Sequence, residues 1–133
     1  MKEQVRWGIL GCGNIARRFT EAFEVVENGV VMGAASRSLE KAGEFASNYG
    51  IPRAFGSYDE LLSDPEIDAI YVATPHSHHE DNVTACFEHG KPVLCEKPLT
   101  VNADQTRRLK EMAKDKELFL MEAMWTRFLP TIK

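Results

Sequence analysis

Short apolar runs alternate along this chain with longer stretches whose apolar residues recur at helical spacing. The first run, Val5 to Leu10, breaks at Gly11-Cys12-Gly13. Residues 14 to about 27 then place Phe19, Ala22, Phe23 and Val26 on one helical face, and Asn28-Gly29 ends that helix. Val30 to Ala35 predicts a buried strand, Ser38 an N-cap for a helix reaching Tyr49, and Gly50 its stop. Ala54-Phe55 predicts a short third strand, and Asp59 to Leu62 a brief helix closed by Ser63-Asp64-Pro65. Residues 69–73, Ala-Ile-Tyr-Val-Ala, are apolar without alternation, which predicts a strand buried on both faces, as in a parallel sheet. A helix over 78–89 closed by His89-Gly90, a strand over 92–95, a helix over 103–115 capped by Asn102 or Thr100, and a last strand over 118–121 complete the pattern.

Strands that alternate with helices imply right-handed crossovers and hence an α/β fold with a doubly wound parallel sheet. The 133 residues suit a single domain with a real core. An apolar content of 44% and a charged content of 27% are ordinary for a soluble protein. The net charge of −4 argues against a nucleic-acid partner, which needs a basic face. No apolar run is long enough to span a membrane, and the short first run, with Glu3 before it, is not a signal peptide. Cys12, Cys86 and Cys95 are odd in number and lack C-x-x-C spacing, so they read as reduced thiols of a cytoplasmic protein.

In open α/β sheets ligands bind beyond the carboxyl ends of the strands, so the residues just past each strand are the candidates for chemistry. After the first strand, Gly11-x-Gly13-x-x-Ala16 joins strand to helix. Gly11 permits the tight turn, Gly13 lets a pyrophosphate approach the backbone, and Ala16 lets the helix pack closely. The first helical residues, Asn14 and Ile15, carry unpaired N–H groups and the positive end of the helix dipole, which attract phosphate. After the second strand come Ser36-Arg37-Ser38. A carboxylate here would bind a ribose 2′-hydroxyl, whereas a hydroxyl and a guanidinium favour a 2′-phosphate, with Lys41 adding charge. The cofactor expected is therefore NADP, with NAD possible. Arg17 and Arg18 lie inside the first helix and read as surface residues.

After residues 69–73 come Thr74-Pro75-His76-Ser77-His78-His79. Thr74 and Pro75 end the strand beside the ligand, His76 faces cofactor or substrate, and His79 caps or packs at the helix start. No neighbouring carboxylate or cysteine completes a familiar ligand spacing, so no metal site is expected. After the fifth strand come Glu96-Lys97-Pro98-Leu99. Lys97 stands at the sheet edge, where an ammonium can hydrogen-bond a substrate hydroxyl and stabilise a developing alkoxide.

Taken together, Gly-Cys-Gly-Asn-Ile-Ala, Ala-Ser-Arg-Ser, Asp68 to His79 and Glu96-Lys97-Pro98-Leu99 resemble the Gfo/Idh/MocA oxidoreductase family along the whole chain. Met121 to Phe128 resembles the branch that includes dihydrodiol and NADP-linked xylose dehydrogenases. The resemblance implies a Rossmann-type domain and hydride transfer between a nicotinamide and a sugar, polyol or diol carbinol. It implies a catalytic role for Lys97, a cofactor-lining role for Thr74 to His79 and for Glu96, and a place for Trp125 and Arg127 near the nicotinamide. His76 stands where the family often has asparagine. Residues 1–121 then read as the dinucleotide-binding domain and 122–133 as the start of a connection to a substrate domain, through which the full-length protein would form a homo-oligomer. The isolated chain is expected to bind cofactor with little turnover. A non-catalytic NADP-binding module acting with a partner subunit is the alternative reading of the same residues.

Overall fold

The computed structural model of the chain describes residues 4–123. Six strands run in the order β3-β2-β1-β4-β5-β6, and every neighbouring pair is parallel. They are β1 (Val5–Leu10), β2 (Gly29–Ala35), β3 (Arg53–Phe55), β4 (Ala69–Val72), β5 (Val93–Glu96) and β6 (Leu120–Ala123). The helices between them are α1 (Asn14–Ala22), α2 (Leu39–Tyr49), α3 (Tyr58–Leu62), α4 (His79–Glu88) and α5 (Ala103–Lys116). The order reverses between β1 and β4, which leaves a crevice beyond their carboxyl ends.

Two cores explain the strands' unbroken apolar runs. Ile9, Ala34 and Tyr71 face one side of the sheet with Ala16 of α1 and Phe45 and Ala46 of α2. Leu10, Ala35, Ile70 and Val72 face the other, against Leu61 of α3, Phe87 of α4 and Leu109 of α5. Adjacent strand residues point to opposite faces, so a strand covered on both sides must be apolar throughout. Among the glycines Gly8 is the most tightly enclosed: a Cβ there would lie 2.7 Å from Leu61 and 2.9 Å from Ile67.

The helix termini agree with the signals in the sequence. Ser38 accepts from the Lys41 N–H, and Asn102, rather than Thr100, caps α5 through the Gln105 N–H. Gly50 ends α2 with φ +67°.

Most boundaries lie within a residue of expectation, and two elements differ by more. The first helix stops at Ala22 and continues as a single 3-10 turn over Phe23–Val25, because the chain must turn to enter β2 at Gly29. Gly29 is thus the first residue of a strand rather than a helix stop. The last strand begins at Leu120 rather than 118. Glu117 closes α5 in the left-handed conformation, and Leu118 N–H and Phe119 C=O bond back to Ala113 and Val93.

Candidate functional site

The carboxyl ends of β1, β2, β4 and β5 converge on one cleft of about 630 Å³. The turn after β1 forms its floor. Gly11 has φ +96°, a conformation that L side chains rarely adopt. A Cβ on it would stand 3.0 Å from the Ala73 carbonyl carbon and oxygen. Glycine is therefore required twice over, by dihedral and by the close approach of β4.

Gly13 differs. Its backbone is ordinary extended chain (φ −100°), it lines the cleft, and a Cβ on it would meet nothing within 4 Å. Gly13 is also the N-cap of α1, and no side chain caps that terminus. The first N–H groups of α1 are thus left for a ligand, and α1 has no acidic residue in its first turn to oppose an anion. A dinucleotide pyrophosphate fits this cradle, since both the space and the donors are present.

Ser36, Arg37 and Lys41 line the β2 side. Ser36 Oγ accepts from the Ser38 N–H, which fixes the turn into α2 and leaves Arg37 exposed at its apex. Tyr58, at the start of α3, lines the same side and escaped the sequence reading. Burial raises its phenol, and the Arg37 charge opposes that rise. Its signal was its place just beyond β3, a strand of three residues whose end was easy to pass over.

The wall after β4 carries Thr74, Pro75 and His76, and the wall after β5 carries Glu96 and Lys97. Thr74 is buried and its hydroxyl accepts from Asn82 Nδ2 at 2.6 Å. Glu96 is 9% exposed and accepts from the Tyr71 hydroxyl. Phe19 of α1 stacks on the Tyr71 ring, with centroids 3.9 Å apart and planes 5° from parallel. Burial, with the Glu96 carboxylate beside it, pushes the Tyr71 phenol far up, so Tyr71 remains a donor. Lys97 is exposed at the rim, and the Lys97-Pro98 bond is cis. The Leu99 N–H, on the far side of Pro98, is held by Glu122 at 2.6 Å.

Most of the expected residues meet here: Gly11, Gly13, Asn14, Ile15, Ser36, Arg37, Lys41, Thr74, Pro75, His76, Glu96 and Lys97 all line the cleft. His79 does not. It is fully buried behind the cleft wall at the start of α4, with both ring nitrogens within hydrogen-bond distance of backbone carbonyls. Trp125 and Arg127 lie outside the described residues. The three histidines diverge: His76 lines the cleft, His78 lines a side pocket with Arg37 and Tyr58, and His79 points inward. Among the described residues no group of three metal-ligating side chains stands together, and no helix is long and apolar enough to cross a membrane. The three cysteines are free thiols.

Comparison with known proteins agrees with this geometry. The model of an oxidoreductase family with an NAD-binding Rossmann fold matches residues 5–124. The trans-1,2-dihydrobenzene-1,2-diol dehydrogenase of Xenopus tropicalis is 46% identical over 127 residues, which is 94% of this chain and 38% of that protein. Its counterpart in Sus scrofa is 43% identical over 131 residues, 97% of this chain and 39% of that protein. The chain therefore spans about two fifths of the length of these relatives. Among solved structures, the 3-ketoreductase KijD10 from Actinomadura kijaniata, crystallised with NADP, superposes with a TM-score of 0.91 at 34% identity, over 96% of this chain and 41% of that one. An NAD binding oxidoreductase from Klebsiella pneumoniae superposes with a TM-score of 0.85 at 25% identity, over 90% of this chain and 34% of that one. By its strand order, its glycine cradle and this match along nearly its whole length, the chain belongs to the Gfo/Idh/MocA oxidoreductase family, as its NAD(P)-binding Rossmann domain.

Proposed function

We propose that this domain serves an NADP-dependent dehydrogenase or reductase acting on a small sugar-like or diol carbinol. One observation carries the reading: an open glycine cradle, an exposed Arg37 and an exposed Lys97 stand around the same cleft, at the ends of β1, β2 and β5.

Gly13 and the free N–H groups of Asn14 and Ile15 hold the pyrophosphate. Arg37 and Ser36 take the ribose 2′-phosphate, which a guanidinium grips through two parallel hydrogen bonds, and Lys41 adds charge. Thr74, Pro75 and His76 flank the cofactor along β4. When bound, the nicotinamide supplies or accepts the hydride. In reduction the Lys97 ammonium would hydrogen-bond the carbonyl oxygen and give it a proton as hydride reaches the carbon; in oxidation the neutral Lys97 amine would take that proton from the carbinol. Glu96, fixed by Tyr71, lines the cleft beside Lys97 and keeps that end of it polar. A binding module without chemistry has no need of an ammonium at this position, which favours an enzyme. Three reduced thiols suit a cytoplasmic setting. The substrate class follows the names of the relatives, dihydrodiol dehydrogenases and a 3-ketoreductase.

Parallel calorimetric titrations with NADP⁺ and NAD⁺ test the reading. NADP⁺ is expected to bind at least about tenfold more tightly, the value of one charge-assisted contact. Equal affinities remove the 2′-phosphate role of Arg37, and no binding of either by the folded chain removes the cofactor assignment.

A further inference from the structure

We infer that His79 is a positioning residue whose ring ties the Thr74 wall of the cleft to the Lys97-Pro98 wall. The inference rests on reading the cleft as the dinucleotide site.

His79 is the first residue of α4 and is 0% exposed. A buried polar group needs partners, and both ring nitrogens have one. Nδ1 lies 2.7 Å from the Pro98 carbonyl oxygen, and Nε2 lies 2.8 Å from the Thr74 carbonyl oxygen. A carbonyl oxygen only accepts, whereas a neutral imidazole has one N–H to give. Which of the two contacts is the hydrogen bond depends on the tautomer, and the other is a close polar contact with the second carbonyl. The ring spans the gap between the two carbonyls.

The place of this bridge matters. Paired residues of β4 and β5 run from Ile70 and Val93 to Val72 and Cys95, and there the pairing stops. Thr74 lies two residues past that end on one strand and Pro98 three on the other. Beyond the last pair, His79 takes over the connection between the two segments. Asn82, one turn along α4, donates to the Thr74 hydroxyl, so α4 grips Thr74 by backbone and side chain together. On the other wall, the carbonyl of Pro98 is fixed by His79 and the N–H of Leu99 by Glu122. Lys97 immediately precedes this clamped pair. His76, whose ring meets that of His79 edge-on at 5.6 Å, continues the clamp to the cleft surface. A catalytic ammonium on an exposed loop loses effect when its supports are loose. His79 supplies one of those supports from inside the protein, without touching the ligand.

The test uses His79→Leu, which fills the volume without donors, and His79→Gln, which keeps one donor. Amide hydrogen exchange and NADP⁺ affinity are measured on samples shown by circular dichroism to be folded. In His79→Leu, exchange at Ser77 and His78 and at Lys97, Leu99 and Thr100 is expected to speed up together, by about tenfold for a lost buried hydrogen bond. NADP⁺ affinity is expected to fall in step, and His79→Gln to recover part of both. A folded His79→Leu protein with unchanged exchange in both segments and unchanged affinity, altered only in melting temperature, overturns the inference. So does a change confined to one segment. If the unmodified protein binds neither dinucleotide, the cofactor reading fails on its own, and the paired exchange still decides whether His79 joins the walls. Should both variants fail to fold, nitrogen-15 spectra of the unmodified protein decide. A solvent-protected ring N–H signal from His79 is expected, and a ring with no protected N–H removes the bridge.

Discussion

The turn after β1 and the turn after β5 both border the cleft, and they are built by opposite means. The first works by the absence of side chains. Gly11 bends the chain against Ala73, Gly13 leaves a space open, and the ligand is offered backbone alone. The second works by side chains and is braced from outside itself. Tyr71 holds Glu96, His79 holds the Pro98 carbonyl and Glu122 holds the Leu99 N–H. The braces come from β4, α4 and β6, far away in sequence. A backbone cradle is a local device, complete within a few residues. A side chain that must stand at a defined place over a sheet edge needs a scaffold gathered from the whole fold.

Substitution at the two glycines separates space from strain and carries the largest effect. Gly13→Val is expected to lower affinity for NADP⁺ and NAD⁺ by at least about a hundredfold, since it fills the space where phosphate meets backbone. It should scarcely change the melting temperature, because nothing in the protein lies within 4 Å of the new Cβ. Gly11→Ala should show the reverse emphasis. Its positive φ alone costs about 1–3 kcal/mol in a residue with a side chain, and the contact with Ala73 adds to that. Retained dinucleotide binding in a folded Gly13→Val protein would sink the cradle.

Arg37→Ala should weaken NADP⁺ by about tenfold to a hundredfold and leave NAD⁺ nearly unchanged, as expected for one charge-assisted pair. Equal losses for both cofactors would move Arg37 from the 2′-phosphate to a general role. Like the glycines, Arg37 acts from a turn that its own neighbours shape, Ser36 holding the Ser38 N–H and Ser38 the Lys41 N–H.

The legibility of the chain divides along the same line. The strand and helix order was readable because the central strands are largely apolar on both faces and several helices carry a local terminal signal, such as Gly50 or Asn102. The glycine turn, Ser36-Arg37 and Glu96-Lys97 were readable because residues just past a strand's carboxyl end are exposed at the sheet edge. From its place in the sequence His79 reads as a residue that caps or packs at the helix start, and only the family resemblance implies a place at the cofactor. One of its two partners, Pro98, is nineteen residues on, and no local pattern reveals that contact. Tyr71 read only as core, and its bond to Glu96 became visible when β4 and β5 were placed side by side.

Tyr71→Phe tests the braced side with a smaller change. It removes one hydroxyl and keeps the stack on Phe19. Glu96 loses a buried donor, so a destabilisation of about 1–2 kcal/mol is expected by chemical denaturation, with cofactor affinity reduced only a few-fold. An unchanged midpoint would show that the phenol does not support the carboxylate.

One thiol stands in each turn region, and the pair gives the smallest and finest comparison. Cys12 lies between the glycines, and burial pushes it up to about 11. Cys95 sits beside Glu96, is 0% exposed and is pushed up further, by burial first and then by the neighbouring thiol and carboxylates. A thiol raised in the native state keeps its proton where the unfolded chain has lost it. Its contribution to stability is therefore full below the unfolded value of about 8.5, and it is lost as pH rises through the native value. The melting temperature should hold between pH 7 and 8 and fall above about pH 8.5, and Cys12→Ser should soften the fall. A melting temperature that rises over that range would contradict the burial of these thiols. In the native protein at pH 8, iodoacetamide should label Cys12 slowly and Cys95 scarcely at all, since only the thiolate of an accessible cysteine reacts. NADP⁺ should slow Cys12 further, because Cys12 lines the cleft, and leave Cys95 as it was. Equal labelling of the two would mean that the region around Glu96 opens as readily as the bare glycine turn, and that the braces around it do not hold.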